Sequence, residues 1–349
     1  VAAAKKKTGG HSKDAADLVL EGILDEMGDD GAQLLGSDSN MLKIRGVIPT
    51  GDIGIDDAIG RGGIPLGRLT ILHGGEGSGK TTLALQIVAE VQRQGGVAVY
   101  SDKEYKLDPE YAAKLGVDTK RLIISQPPYL EKAFQMWKAV IAKAVAVREK
   151  LGKRVPILIV LDSMNACITK MEYEGDEEDQ HYAPAARIMS TQLPKLMPEV
   201  SQADVALLFV SQVRKKIGVM FGDDEDVAGG NAPKFYASLI IHIKRMGTER
   251  DEKSKRKTAN KLVVEPKKNQ IGPPFRKVEV RINYGKGFDN LYSTVELAER
   301  LGIVKKKGVY YSYKGENIGQ GMKATKKYLR ANPKTLASIQ KKIRAEGGW

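Results

Sequence analysis

Cysteine occurs once in the 349 residues, as Cys167. One thiol excludes an internal disulfide, and no Cys/His cluster suits zinc. The chain is therefore expected in a reducing compartment, the cytoplasm. Long hydrophobic runs are also missing. None approaches the roughly 18–20 apolar residues needed to span a bilayer, so no membrane partner is expected. Val1 to Lys7 carries lysines with no apolar stretch behind them, so no secretory signal is expected there. Negative charge is in deficit, with 43 Asp and Glu against 56 Lys and Arg and a net charge of +13. The excess is uneven. Leu301 to Trp349 holds twelve Lys and Arg against two acids, Glu316 and Glu346. Such an end either aids solubility or meets a polyanion. DNA or RNA is the expected partner, because a nucleotide site accompanies the charge.

That site is the run Gly74-Gly75-Glu76-Gly77-Ser78-Gly79-Lys80-Thr81, which fits the pattern G-x-x-x-x-G-K-[ST]. Leu69 to His73 reads as a buried strand before it. Thr81 to Arg93 reads as a helix after it, with Leu83, Leu85, Ile87, Val88 and Val91 at mostly helical spacing. Glycines let backbone N–H groups close around phosphates, and a helix N-terminus adds favourable partial charge. Lys80 is placed to reach the β- and γ-phosphates, the Thr81 hydroxyl to hold Mg²⁺, and Thr82 follows in the same turn. A second element is the apolar strand Ile157–Leu161, ending in Asp162. Its carboxylate is expected beside the phosphate loop, holding the Mg²⁺ shell through water. Glu104 lies just past the strand Val97–Ser101, where a carboxylate can orient an attacking water as general base. By spacing alone a surface glutamate fits as well. Gln212 ends the strand Val205–Val210, which by itself says little.

Residues 1–41 read as an N-terminal segment: a disordered stretch to His11, an amphipathic helix from Lys13 to Met27, and a linker from Gly28 to Asn40. The helix cannot bury its apolar face alone. Residues 42–289 alternate strands with helices. Further strands are expected at Leu122–Ser125, Leu239–Lys244, Lys261–Glu265 and Val278–Asn283. The fold class is α/β, with a mainly parallel central sheet covered on both faces. The charged stretch Thr248 to Lys257 reads as a hairpin loop in a later antiparallel part. Residues 290–349 read as a small α+β C-terminal domain, basic, with short helices and turns.

Five strings then resemble one family: GGEGSGKTTLALQ, EYKLDPEYAAKLGVD, SQVRKKIGVMFG, GGNAPKFYAS and VYYSYKGENIGQG, together with the acid-ended strand. The chain is similar to the RecA family of bacterial and phage homologous-recombination ATPases, from about Met41 to Arg344. KKIGVMFG and GGN…KFYAS are specific to that family rather than to P-loop proteins at large. The resemblance implies a RecA-type P-loop NTPase core in a DNA-dependent ATPase that requires ATP and Mg²⁺. It implies helical self-assembly on single-stranded DNA, with the Lys13–Met27 helix docked on the next subunit, and strand exchange with double-stranded DNA. The basic C-terminal domain is then expected to capture duplex, with Lys323, Lys326 and Lys327 among its contacts.

The resemblance also implies roles. Glu104 matches the catalytic glutamate, with Lys80 beside it. Asp108 and Tyr111 match nucleotide contacts, and Tyr284 the aromatic near adenine. Gln212 matches a γ-phosphate sensor that links ATP to the DNA loops. Lys268 matches a lysine that enters the neighbouring subunit's ATP site. A first DNA loop is expected from about Glu172 to Ala183, ahead of Arg187. A second spans about Val213 to Gly229, with Arg214, Lys216, Ile217 and Phe221, before Gly230 and Asn231. Cations and backbone N–H groups suit phosphates, and apolar tips suit wedging between bases.

Four features depart from the family pattern. Lys103 replaces a small residue before Glu104, and strand alternation is expected to point it away. Gln270 replaces a second trans lysine. The chain closes on Arg344-Ala345-Glu346-Gly347-Gly348-Trp349 with no acidic tail. The first loop is acidic, with Glu172, Glu174, Asp176, Glu177, Glu178 and Asp179, which either fold away from DNA or bind cations. Two rival readings share much of the sequence. A hexameric helicase has the same core but not KKIGVMFG or VYYSYKGENIGQG. A DNA-binding accessory protein would have a degenerate site, whereas Lys80, Thr81, Glu104 and Asp162 are all in place.

Overall fold

A computed structural model of the chain describes residues 15–28, 43–175, 184–215, 225–251 and 254–349. Val1–Lys43 forms one unit and Ile44–Trp349 a second. Within the first, the apolar residues Leu18, Leu20, Ile23, Leu24 and Met27 recur along helix α1 (Ala15–Met27), which buries none of them. The expected stretch before it, and the linker from residue 29, lie outside the described residues.

The second unit opens with short strands β1 (Val47–Ile48) and β2 (Ile64–Pro65), paired antiparallel around helix α2 (Ile53–Ile59). Asp52 starts α2 by accepting the N–H groups of Gly54 and Ile55, which have no partner inside the helix. The chain then runs through β3 (Leu69–Gly74), α3 (Lys80–Arg93), β4 (Val97–Asp102), α4 (Pro109–Lys114) and β5 (Leu122–Ser125). It continues with α5 (Leu130–Leu151), β6 (Ile157–Asp162), α6 (Lys170–Glu174), α7 (Pro184–Ala203) and β7 (Val205–Gln212). A two-stranded ribbon follows, β8 (Arg214–Lys215) with β9 (Glu225–Asp226). After α8 (Asn231–Tyr236) come β10 (Ala237–Arg250), β11 (Lys257–Asn269), β12 (Val278–Asn283) and β13 (Gly287–Phe288).

Among the described residues, nine strands form one sheet in the order β13-β12-β11-β10-β3-β7-β6-β4-β5. From β10 to β5 every pairing is parallel, and from β10 to β13 every pairing is antiparallel. Strands buried on both faces have no polar side, which is why Leu158 to Leu161 and Ala206 to Phe209 read as unbroken apolar runs. α3 covers one face with Leu83, Leu85, Ile87, Val88 and Val91. α5 and α7 cover the other with Phe134, Trp137, Met189, Leu193 and Leu196. Each fully buried aliphatic side chain contributes about 1.5–3 kcal/mol. Trp137 keeps its indole N–H satisfied by donating to Ser101 Oγ at 3.1 Å.

The remaining segments are α9 (Asn290–Arg300), β14 (Lys305–Lys307), β15 (Tyr310–Tyr313), β16 (Glu316–Gln320), α10 (Gly321–Ala331) and α11 (Pro333–Gly347). β14, β15 and β16 make a small antiparallel sheet. Val295, Tyr311, Ile318, Leu329, Ile339 and Ile343 close a separate core with Ile53 from α2. The sequence pattern suggests short helices here, but α11 runs 15 residues because Leu329, Ile339 and Ile343 give α10 and α11 one shared buried face.

Two expectations need correction. The hairpin loop expected over Thr248–Lys257 is shorter, since β10 runs to Arg250 and β11 starts at Lys257. Cross-strand ion pairs hold these charged ends in the ladder: Glu249 meets Lys261 at 3.7 Å and Arg281 at 2.8 Å. Lys326, expected to be available to duplex, is instead paired with buried Asp289 at the start of α9. Lys323 and Lys327 are exposed.

Candidate active site

Strand register decides what meets at the carboxyl edge of the sheet. Gly74 lies opposite Gln212, and Asp102 opposite Asp162. The phosphate loop, Asp162, the Asp102–Glu104 corner and Gln212 therefore share one edge, with a cavity of about 390 Å³ between them.

The loop needs its glycine at position 79. Gly79 sits at φ +90, and a Cβ there would lie 2.2 Å from Ile282 Cδ1. Lys80 begins α3 and turns its ammonium onto the carbonyls of Gly74 and Gly75, at 2.9 and 2.8 Å. Burial pulls its pKa down, while the charges of Asp162, Glu104 and Glu76 oppose the shift. Ser78 Oγ is buried with no hydrogen-bond partner among the described residues.

Thr81 Oγ1 donates to Asp162 Oδ2 at 2.8 Å, and Tyr100 OH to the same oxygen at 2.6 Å. Burial raises the Asp162 carboxyl above its usual range, and these two hydrogen bonds limit the rise. Among the described residues no group of three or more His, Cys, Asp or Glu could hold a metal ion. Thr81 and Asp162 nevertheless present hard oxygen donors side by side, the kind Mg²⁺ accepts when phosphates and water complete its shell.

Glu104 is aimed by the carboxylate two residues earlier. Asp102 accepts the N–H groups of Glu104, Tyr105 and Leu107 at 3.1, 2.9 and 3.2 Å, which turns the chain at the strand end. Glu104 Oε1 then accepts from Ser163 Oγ at 2.6 Å and from Gln212 Nε2 at 3.2 Å. Lys106 approaches the other oxygen at 3.3 Å. The Ser163 hydrogen bond holds the Glu104 pKa low, with Lys106 and Gln212 helping and burial opposing. Gln212 is itself fixed by Asn165, whose Oδ1 accepts the Gln212 N–H at 2.7 Å.

Most of the expected nucleotide residues line this cavity: Glu76, Gly77, Gly79, Lys80, Thr81, Thr82, Glu104, Tyr111, Asp162, Gln212 and Tyr284. Tyr111 OH hydrogen-bonds Thr82 Oγ1 at 2.8 Å, and Tyr284 OH donates to Asn260 at 2.8 Å. Asp108 is not among the lining residues. It caps α4 through the Glu110 N–H at 2.8 Å. Lys268 also lies elsewhere, its ammonium on the carbonyls of Lys234 and Phe235 at 2.9 and 3.0 Å, at the end of α8. Lys103 turns away from Glu104, as alternation predicts, and Gln270 is exposed.

Of the expected DNA residues, Lys216, Ile217 and Phe221 lie outside the described residues, as does most of the first loop, and the Arg214 side chain is not described. Arg187 is exposed in the first turn of α7. Gly229 and Gly230 both adopt positive φ, and a Cβ on Gly230 would lie 2.9 Å from Ala186 Cβ. That close approach brings Gly229-Gly230-Asn231 against the turn carrying Arg187. Ala228 N–H donates to Ser211 Oγ at 2.9 Å, so this surface is tied to the strand end that carries Gln212.

Sequence reasoning misses Ser163, Asn165, Lys106, Asn260 and Ile282. Ser163 follows Asp162 directly and was legible as its neighbour. Asn260 and Ile282 come from β11 and β12, and nothing local marks them.

The RecA N-terminal domain model matches residues 14–289, and the RecA C-terminal domain model residues 293–348. The chain belongs to the RecA family. It is 41% identical to Protein RecA of Cereibacter sphaeroides over 334 residues, 96% of this chain and 94% of that one. With Protein RecA of Paracoccus denitrificans it shares 40% over 336 residues, 96% and 90% of the two chains. A solved structure titled "Crystal structure of the RadB recombinase" matches at TM-score 0.47 and 18% identity, over 69% of this chain and 98% of that one. RecA-family proteins are DNA-dependent ATPases that act as recombinases, and this chain is such an enzyme. The ring-helicase alternative falls with that membership.

Proposed function

We propose that the chain assembles as a helical filament on single-stranded DNA, binds ATP with Mg²⁺ between subunits, and exchanges strands with homologous duplex. One observation carries the reading: Gln212 bridges the two ends of the chemistry. Its amide touches Glu104, and its strand end is tied through Ser211 to the Gly229–Asn231 surface. A group that registers γ-phosphate there is mechanically joined to a DNA surface.

In this reading the phosphate-loop N–H groups and Lys80 hold the triphosphate, and the buried Ser78 hydroxyl gains a partner. Thr81 and Asp162 hold Mg²⁺, which when bound offsets phosphate charge. Glu104, ionised at neutral pH, orients a water by accepting its proton. Tyr111 and Tyr284 flank the nucleotide, and Lys268 serves the neighbouring subunit's site. Residues 1–41 act in assembly, 42–289 in ATP and DNA binding, and 290–349 in duplex capture.

Self-assembly is supported by two exposed apolar features. β5 is an open sheet edge with Ile123 51% and Ile124 44% exposed, and such an edge invites a further strand. α1 leaves Leu18, Leu20 and Ile23 exposed. Among the described residues no helix is long and apolar enough to cross a membrane. Buried, unpaired Cys167 fits a cytoplasmic setting. Hydrolysis measured with and without single-stranded DNA tests the enzyme, and electron microscopy with a non-hydrolysable ATP analogue tests the assembly. Open helical filaments are expected, and closed rings or no DNA-stimulated hydrolysis would reject the proposal.

A further inference from the structure

Lys103 lies between the two acids of the β4 corner, yet its side chain leaves the ATP cavity. The residue is 7% exposed. Its ammonium donates to the carbonyl oxygens of Pro127 at 2.5 Å and Pro128 at 3.1 Å. Its backbone N–H donates to the Asp162 carbonyl at 2.7 Å. A buried cation is costly unless hydrogen-bonded, and here two carbonyls rather than a carboxylate meet it. Burial lowers the Lys103 pKa, and the titratable group facing it is Cys167, whose thiol burial pushes up to about 12.

The segment that Lys103 grips is bound on its far side to the stem of the first DNA loop. Leu130 N–H donates to the Ile168 carbonyl at 2.8 Å. Glu131 accepts the Lys170 N–H at 3.0 Å. The rings of Tyr129 and Tyr173 lie 5.7 Å apart. Two successive prolines fix φ at 127 and 128 and remove two N–H groups, so this stretch is stiff and its carbonyls face few internal donors. A displacement of the stem therefore reaches the Lys103 ammonium, and Lys103 is one peptide from Glu104.

We infer that Lys103 is a positioning residue that joins the stem at residues 168–174 to Glu104 and sets how strongly DNA raises the rate of ATP hydrolysis. This inference rests on the proposed DNA-stimulated mechanism. It adds a second route beside Gln212, which reaches Glu104 from β7.

The substitution Lys103→Met keeps the aliphatic stem and removes the donor. In saturating single-stranded DNA, kcat for ATP is expected to fall about tenfold, within the coupling that contact networks carry. KM for ATP and the affinity for DNA are expected to change less than about twofold. Tyr173→Ala, at the exposed far end of the relay, should lower the DNA-stimulated rate in the same way. The double variant should be no worse than Lys103→Met alone, because both cut one path. Wild-type stimulation in either single variant overturns the inference, and so does an additive double variant. Should Lys103→Met fail to fold, Tyr173→Ala decides alone. If the unaltered protein shows no stimulation by DNA, the proposed function fails instead, so the two failures are distinguishable.

Discussion

Gln212 Nε2 and Ser163 Oγ converge on one oxygen of Glu104, at 3.2 and 2.6 Å, so the amide that ends β7 and the carboxylate two residues past β4 form a single unit. The parallel registers of β6 with β7 on one side and with β4 on the other make this meeting possible.

Glu104→Gln should therefore lose about 10²–10⁴-fold in hydrolysis, the usual weight of a positioned base, while ATP still binds. Rate assays beside titration with a fluorescent nucleotide separate the two effects, and full hydrolysis by the variant would remove Glu104 from the mechanism. Ser163→Ala removes the hydrogen bond that most favours the charged form, so the Glu104 pKa should rise. The acid limb of the pH–rate profile should move to higher pH, and an unmoved limb would mean that Glu104 does not govern it.

Lys268 bonds its own protomer's α8 carbonyls and does not line its own cavity. Lys268→Ala should leave ATP binding by the isolated subunit intact and abolish DNA-stimulated hydrolysis. Mixed with Lys80→Ala protein it should recover part of the rate, since each hybrid boundary can pair an intact loop with an intact lysine. A mixture no more active than either parent argues that both residues act within one subunit.

Salt dependence should separate two kinds of lysine in the C-terminal domain. Burial pushes the Asp289 carboxyl up, but Lys326 and Asn283 outweigh it and hold the pKa low. Lys326→Ala should thus destabilise the fold by about 3 kcal/mol, the lower end for a broken buried pair. Charge reversal at exposed Lys305, Lys306 and Lys307 should instead weaken duplex uptake and flatten its slope against log salt by about 0.9 per lost phosphate contact. An unchanged slope would mean that β14 is merely solvated.

Asp52 predicts a pH-dependent stability. It is fully buried, and burial raises its pKa from 3.8 to about 6, with Ser293, Ile55 and Gly54 opposing and the Asp289 charge adding. The folded state then holds more protons than the unfolded state between those values, so stability falls as pH rises through about 4 to 6 and levels above. The offset corresponds to about 3 kcal/mol. Asp52→Asn keeps a capping acceptor and should shrink the change in melting temperature across that window. Asp56, also buried and raised, should leave a residual slope. Identical pH profiles in the two proteins would place the titration elsewhere.

The sequence by itself determined the parts of this protein whose signals are local. Gly74 to Thr81 needs only its own glycines, lysine and hydroxyl to declare a phosphate loop. The apolar runs before Asp162 and Gln212 declare buried strands because a strand covered on both faces has no polar side. Family strings then carried Glu104, which spacing alone left ambiguous, and Lys268, which no local signal marks. Tertiary structure decided whatever depends on residues distant in the chain. Register placed Ser163 and Gln212 on Glu104, and the antiparallel extension brought Asn260 and Ile282 to the cavity wall. Lys326 looks like any other lysine in a basic helix until Asp289, 37 residues away, claims it. Lys103 looks like a cation set beside the Glu104 carboxylate until the fold turns it onto Pro127. A side chain's chemistry is written in its own residue, but its partner is set by strand order and packing, which no single stretch of sequence contains.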